Sequence, residues 1–253
     1  MAAAPRAQGE ADRPSRARRF ALLGLFGLLT LVFVGLGIWQ VERRSWKLDL
    51  IARVDARAHA QAEPVPGPEG WGGIDAAGAE YRRVALDGRY LPGAETLVKA
   101  VTEKGPGFWV LAPFRSTRGF TVLVNRGFVP EDRRDPAERS DAAARGETHL
   151  TGLLRMSEPG GGFLRSNDPG AGRWYSRDVA AIAEARGLGA VAPYFVDADA
   201  VSEPGPLPLG GMTVIRFRNT HFIYALTWFS LAGMSAWAGF YVLRRRSEGE
   251  EAS

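Results

Sequence analysis

The stretch "RNTHFIYALTWFSLAGMSAWAGFYVLRRR", Arg218–Arg246, contains 25 consecutive residues without Asp, Glu, Lys or Arg, from Asn219 to Leu243. A second stretch, Phe20–Val41, has 22 such residues. A helix needs about 20 predominantly apolar residues to cross the hydrocarbon core of a bilayer. The sequence therefore predicts two transmembrane helices, at residues 20–41 and 219–243, with the first continuing outward as an amphipathic helix.

Arginines at the flanks of the two spans predict the orientation. Three precede the first span (Arg16, Arg18 and Arg19) and three follow the second (Arg244–Arg246). Cytoplasmic flanks carry an excess of Lys and Arg, whereas long loops translocate largely regardless of their charge. We therefore expect a multi-pass protein of the cell inner (cytoplasmic) membrane. Its cytoplasmic tails are 1–19 and 244–253, and its central domain, 42–218, is extracytoplasmic.

The central domain reads as a series of short strands with one helix. The apolar runs at 107–114 and 120–129 are separated by a polar turn and predict a β-hairpin. Asp87-Gly88 predicts a turn that ends a strand. We predict further strands at 95–102, 148–156, 192–199 and 212–219, and a helix capped by Ser176 or Asp178. The expected fold is a membrane protein with two transmembrane α-helices flanking an antiparallel β-rich (α+β) extracytoplasmic domain.

Composition excludes several classes of chemistry. The chain has no cysteine, which removes disulfides, thiolate metal sites and covalent haem attachment through cysteine. It carries three histidines and lacks HExxH and GxSxG motifs, so we expect no enzymatic activity. The formal charge of +4 predicts attraction to membrane lipid rather than to nucleic acid, because the arginines concentrate at the membrane flanks.

The three histidines receive different interpretations. His59 is expected on the surface, and His149 is expected half-buried in a strand. On an ideal helix, Tyr224, Ala225 and Trp228 share the face of His221. This stripe places an imidazole beside flat apolar walls, and a neutral imidazole can bind haem iron as an axial ligand.

The two spans are expected to pair through small residues, which let membrane helices approach closely. Gly24, Gly27, Gly35 and Gly37 supply them in the first span. Trp39 and Gln40 should then lie at about the depth of His221. An anchoring interpretation fits the same spacing, because Tyr and Trp are enriched at membrane interfaces and a histidine in the first turn can contact headgroups.

Five segments together resemble the Surfeit-locus-one (Surf/Shy) family of cytochrome c oxidase assembly proteins. They are "GIWQVERRSWKLDLI", "YRRVALDGRY", "LVNRGFVP", "SNDPGAGRWYSRDVAAIA" and "RNTHFIYALTWFSLA". The resemblance extends from Gly37 to Ala232. It implies two membrane spans, a domain on the outer face and a role in haem a handling while the oxidase catalytic subunit matures.

The resemblance also implies roles for individual residues. His221 matches the histidine linked to haem a binding, as axial ligand of a transiently bound haem a. Tyr224, Trp228, Trp39 and Gln40 are assigned to the cofactor pocket. Asn125-Arg126-Gly127 matches a strand motif of the family. It is interpreted either as a contact surface for the oxidase or, preferably, as a β-bulge or turn that needs Gly127 for its backbone angle.

Two hypotheses of different classes follow. In the first, the protein takes up haem a at His221 and assists its insertion into the catalytic subunit of the oxidase, its partner, with the haem a synthesis machinery as a further partner. In the second, it is a cofactor-free membrane scaffold that stabilises an oxidase assembly intermediate.

Overall fold

The computed structural model describes residues 16–139, 146–162, 164–200, 207–215 and 219–244. These residues fall into two compact units. The first unit combines the two ends of the chain, up to Ile51 and from Phe217 onward, and the second contains Ala52–Arg216. Each unit is described separately below. The expected boundaries of tails, spans and extracytoplasmic domain stay predictions.

The first unit consists of two long apolar helices, α1 (Arg16–Ala58) and α4 (His221–Arg244). Both are long and apolar enough to cross a membrane. Only 6% of the apolar window of α1 and 11% of that of α4 are buried inside the protein. The core helix of a soluble protein would be mostly buried, so this exposure favours contact with lipid.

Helix α1 extends well beyond the predicted span. Its 43 residues correspond to about 65 Å at 1.5 Å per residue, roughly twice the thickness of a hydrocarbon core. The helical continuation predicted after Val41 is therefore confirmed, and its outward direction stays a prediction.

The helices pack against each other in antiparallel register. Contacts recur every seven residues along α1, where Phe26, Phe33 and Gln40 meet Ser235, Trp228 and His221 of α4. Ala225, Ala232 and Ser235 are the buried residues of α4, and they share this face. A seven-residue repeat keeps one face of each helix on its partner. The predicted pairing of the two spans is confirmed.

In its described residues, the second unit contains a sheet of seven strands. The strands are β1 (Glu63–Pro64), β2 (Arg83–Tyr90), β3 (Thr96–Thr102), β4 (Gly105–Ser116), β5 (Thr121–Pro130), β6 (Thr148–Met156) and β7 (Val191–Ala198). They pair in the order β1-β2-β6-β7-β5-β4-β3, and a further pairing of β2 with β4 closes five of them, β2, β6, β7, β5 and β4, into a ring. The short helices α2 (Ala76–Ala79) and α3 (Val179–Ala185) accompany the sheet.

Alternate residues of strands β5 and β7 belong to two different apolar clusters. Val122 and Val124 of β5, with Tyr194 and Val196 of β7, belong to one cluster. The residues between them, Leu123 and Phe195, belong to the other, together with Val179 and Ile182 of α3 and with Trp174. Successive side chains of a strand point to opposite faces, so both faces of β5 and β7 are buried.

Several strand predictions are confirmed, notably the β4–β5 hairpin. Three others differ from the structure. The sheet is mixed rather than antiparallel, because β5 pairs with β7, and β1 with β2, in parallel. Strand β2 runs through Asp87-Gly88 instead of turning there. The strand expected at 212–219 is absent from the described residues 212–215, and residues 216–218 lie outside the described part of the chain.

Candidate functional site at the paired helices

His221 is the first residue of α4, and its backbone is fixed by the residues that precede the helix. The Asn219 side-chain oxygen accepts a hydrogen bond from the His221 N–H at 3.4 Å. The Thr220 carbonyl accepts from the N–H groups of Ile223 and Tyr224. These bonds satisfy N–H groups that the first turn of a helix leaves without intrahelical partners.

The His221 ring contacts the other helix through one hydrogen bond. His221 Nδ1 lies 2.8 Å from Gln40 Oε1, and Gln40 is only 8% exposed. A carbonyl oxygen can only accept, so Nδ1 carries the proton in this arrangement. In the neutral ring the lone pair then resides on Nε2, which is the nitrogen available to a metal ion.

Aromatic side chains continue the interface beyond this pair. The rings of Trp228 and Phe33 stack at 5.8 Å between centroids with a 25° interplanar angle. Nearby, a Cβ added at Gly37 would lie 2.5 Å from a ring carbon of Phe229. The backbone of α1 therefore approaches this ring closely, and a larger residue at position 37 would have to displace the ring.

A positive charge lies against the first turn of α4. The guanidinium of Arg44 lies 5.5 Å from the ring centroid of Phe222, the residue after His221. Arg44 follows Gln40 by four residues, one turn along the same face of α1. A ligand that carries a carboxylate can therefore meet a cation at the start of α4.

The structure brings only part of the predicted site together. Gln40 contacts His221 directly, and Trp228 lies two turns further along the same face. Trp39 and Tyr224 are 53% and 54% exposed, so they line the outside of the helix pair rather than its interface. The assignment of these residues to a haem a pocket stays a prediction.

Three residues of this region were missed by the sequence reasoning: Phe33, Phe229 and Arg44. Phe33 precedes Gln40 by seven residues and Trp228 follows His221 by seven. A heptad alignment of the two spans in antiparallel register would have paired Phe33 with Trp228. Four glycines were expected at the helix interface. A Cβ added at Gly37 would have a neighbour within 4 Å, whereas a Cβ added at Gly24, Gly27 or Gly35 would have none.

The other two histidines lie on the surface. His59 is exposed, as expected, and its ring contacts the Asp55 carbonyl at 2.9 Å. His149 lies in β6, but its side chain is 61% exposed and pairs with Asp87 Oδ1 at 2.7 Å. The prediction of a half-buried His149 was wrong, because the ring points to the outer face where β6 lies beside β2.

The Asn125-Arg126-Gly127 motif forms a β-bulge. Trp109 pairs with Phe128 and Leu111 with Asn125, so β5 contains one residue more than β4 between these pairs. Gly127 has φ +130°, and a Cβ at this position would overlap the Leu209 carbonyl. The preferred structural interpretation of this motif is confirmed.

Asn125 also belongs to a buried polar cluster that the sequence reasoning missed. Its Nδ2 donates to Asp197 Oδ1 at 2.7 Å, and Asp197 is 4% exposed. Arg155, Arg177 and Thr213 donate to the same carboxylate at 2.9, 3.3 and 2.8 Å. Burial opposes the charge of Arg155, but Asp197, Glu80 and Tyr81 together outweigh it and raise the pKa of Arg155. The cluster is held within the domain and is a structural feature.

Comparison with known proteins identifies the family. The model of the SURF1 family matches residues 27–233, which include part of each long helix, the Gln40–His221 pair and the whole strand domain. The chain belongs to the SURF1 family. Its resemblance to the Surfeit-locus-one family is thereby confirmed.

Individual relatives of the SURF1 family align along most of this chain. Surfeit locus protein 1 of Rattus norvegicus is 36% identical over 231 residues, which cover 85% of this chain and 73% of the relative. The Homo sapiens protein of the same name is 34% identical, with 88% and 77% covered. A SURF1-like protein of Monosiga brevicollis is 34% identical, with 87% and 85% covered.

Proposed function

We propose that this SURF1 family member assists the assembly of cytochrome c oxidase by holding haem a at His221 and releasing it to the catalytic subunit. The observation that carries this proposal is the Gln40–His221 hydrogen bond of 2.8 Å. It directs the protonated Nδ1 toward the helix interface and leaves Nε2 with a lone pair at the end of the helix pair. Membership of the family supports the oxidase as the target.

The residues around His221 fit such a ligand. When bound, haem a would supply an iron that can accept an imidazole nitrogen as a ligand. The chain supplies that nitrogen, the half-exposed aromatic rings of Trp39 and Tyr224, and the Arg44 guanidinium. A single histidine ligand suits a carrier, because the bound group must leave again.

The setting of this activity is a bilayer. Apolar side chains on both helices face outward, and the flanking arginines favour cytoplasmic termini in the inner membrane. His221 would then lie at the outer boundary of the membrane, next to the extracytoplasmic domain in sequence. The proposed partners are the oxidase catalytic subunit and the haem a synthesis machinery.

The test is to purify the protein from cells that make haem a and to compare its absorption spectrum with that of His221→Ala. We expect haem in the wild type and at least a tenfold loss in the variant. His149→Ala, which removes an exposed imidazole from β6, is the matched control and should retain haem. Equal haem occupancy in all three proteins would refute the proposal.

A cofactor-free scaffold is the second candidate. The contacts of Phe33 with Trp228, and of Gly37 with Phe229, fill part of the helix interface without any ligand. A scaffold requires such a firm pair to hold an assembly intermediate. In that case oxidase subunits co-purify equally with the wild type and with His221→Ala, and haem accompanies neither.

A further inference from the structure

We infer that Gln40 is a positioning residue that holds His221 in the Nδ1-protonated tautomer and so keeps Nε2 available as a metal ligand. This inference rests on the proposed function for its purpose, although its structural part is testable without any haem. In this inference Gln40 acts by fixing the tautomer of His221, whereas the sequence predicted only that Gln40 belongs to the cofactor pocket.

Burial distinguishes Gln40 from its neighbours on α1. Trp39 and Val41 are 53% and 50% exposed, whereas Gln40 is 8% exposed. A primary amide buried without a hydrogen-bond partner costs about 1–3 kcal/mol by mutational measures. The Gln40 oxygen has its partner in His221. The amide is therefore turned into the helix interface and bound to the imidazole rather than exposed to lipid or water.

The position of the amide is determined by the helix register. Phe33 meets Trp228 seven residues before Gln40, and the Phe26 carbonyl accepts from Ser235 Oγ at 3.1 Å. Rotation or sliding of α1 at Gln40 would break these contacts as well. On the other side, the Asn219 side chain fixes the backbone of His221. Both partners of the hydrogen bond are thus held by independent contacts.

The tautomer decides whether the ring can bind a metal. An Nε2–H imidazole has its only lone pair on Nδ1, which faces Gln40 and is blocked. An Nδ1–H imidazole presents Nε2, and an acceptor on Nδ1–H also raises the basicity of the ligand. Loss of such an outer partner typically lowers metal affinity about 10- to 100-fold.

The direct experiment is ¹⁵N NMR of the imidazole in the full chain, free of haem and reconstituted in lipid nanodiscs. His59→Gln and His149→Gln leave His221 as the single histidine, and both positions are exposed and distant from α4 in sequence. The spectra are recorded at about pH 9, where a free imidazole is neutral. We expect a protonated, pyrrole-type Nδ1 and an unprotonated, pyridine-type Nε2.

Three variants in this background test the role of Gln40. Gln40→Leu removes the acceptor and should give averaged signals of both tautomers. Gln40→Glu keeps an acceptor oxygen and should preserve the Nδ1–H spectrum. Gln61→Leu makes the same chemical change at an exposed loop position and should leave the spectrum unchanged. An Nε2–H ring in the parent, or an unchanged spectrum in Gln40→Leu, overturns the inference.

Haem titration of the same proteins separates this inference from the proposed function. Gln40→Leu should bind at least tenfold more weakly than the parent, and Gln40→Glu should stay within a few-fold of it. Equal affinity of the parent and Gln40→Leu would overturn the positioning role while leaving His221 as the ligand. An Nδ1–H spectrum in a parent that binds no haem would refute the proposed function and still support the tautomer assignment.

Discussion

Asp197 is a buried carboxylate of the strand domain, and four other side chains donate hydrogen bonds to it. It lies on β7 and accepts from side chains of β5, β6, the loop before α3 and the segment that follows β7. A buried carboxylate requires such partners, because removing a charge from water costs several kcal/mol unless it is paired and hydrogen-bonded. The residue thereby links segments that are distant in sequence.

Replacement of this charge should be strongly destabilising. In Asp197→Asn, the guanidiniums of Arg155 and Arg177 lose the buried carboxylate that both of them contact. Their side chains are only 14% and 13% exposed. We expect a loss of about 3 kcal/mol or more in the free energy of unfolding, measured by urea unfolding of the full chain in detergent. Asp132→Asn, at a side chain 78% exposed, is the control and should unfold at the wild-type urea concentration.

Glu158 gives the domain a specific response to acid. Burial alone would raise its pKa, but hydrogen bonds and the charge of Arg177 outweigh burial, so the pKa lies below its ordinary value of 4.5. A carboxyl group with a lowered pKa in the folded state stabilises it above the ordinary pKa. That contribution is lost as the pH falls below 4.5 through the folded-state value.

The comparison with Glu158→Gln should reveal this contribution. At pH 6 the wild type should unfold at a higher urea concentration than the variant. The difference between the two unfolding urea concentrations should shrink as the pH is lowered from 4.5 towards 3, because both proteins then carry a neutral side chain at residue 158. A margin that stays constant over this range would show that the ionised carboxylate does not contribute.

At the residue scale, the sequence predicted that Gln40 lies at about the same level as His221, and the hydrogen bond between the two side chains agrees with this prediction. It did not predict the Asp197 cluster, because its members come from five separate segments and share no local pattern. The β-bulge at Gly127 was predicted, because a glycine inside a strand often marks a bulge. The assignment of Trp39 and Tyr224 to the pocket stays a prediction, and both side chains are half-exposed on the helix pair.

At the element scale, the helix pair depends on the close approach at Gly37. Gly37→Ile introduces a branched side chain against the Phe229 ring and should force the helices apart, with a cost of about 1–3 kcal/mol. Gly35→Ile is the matched control, because nothing lies within 4 Å of an added Cβ there. The chain has no cysteine, so an engineered disulfide can report the separation directly.

Phe26 and Gly239 are suitable for that disulfide. A Cβ added at Gly239 lies 3.4 Å from Phe26 Cβ, close to the range of about 3.5–4.5 Å found in disulfides. Phe26→Cys with Gly239→Cys should cross-link efficiently alone and with Gly35→Ile, and poorly with Gly37→Ile. The fraction cross-linked is read from mobility on non-reducing gels. Equal cross-linking in the two glycine variants would contradict the close packing.

Elements were predictable where the signal was local. The β4–β5 hairpin and α3 follow from alternation, a polar turn and the Asp178 cap, which accepts from the Ala181 N–H at 3.2 Å. Asp87-Gly88 was misread as a turn because Gly88 serves a distant contact: a Cβ there would overlap the Arg115 carbonyl of β4. The ring closes at this crossing, and no local pattern encodes it. The parallel β5–β7 pairing is equally non-local.

At the scale of the whole molecule, the orientation in the membrane determines what His221 can reach. Six arginines lie on the terminal sides of the two spans, before the first and after the second. Arg43, Arg44 and Lys47 lie on the opposite side, after the first span. The positive-inside bias counts short flanks far more than the start of a long translocated segment. With this orientation His221 faces the compartment that contains the strand domain. With the reverse orientation it would face the cytoplasm.

Single cysteines introduced into the cysteine-free chain decide between these orientations. Asp132→Cys places a thiol on the exposed surface of the strand domain, and Ser247→Cys places one in the predicted C-terminal cytoplasmic tail. A membrane-impermeant maleimide should label Asp132→Cys in right-side-out vesicles and Ser247→Cys only in inverted ones. The opposite pattern would place His221 on the cytoplasmic side. Transfer of haem a to an oxidase subunit from the outer boundary would then be impossible, even if the Gln40–His221 pair binds haem as proposed.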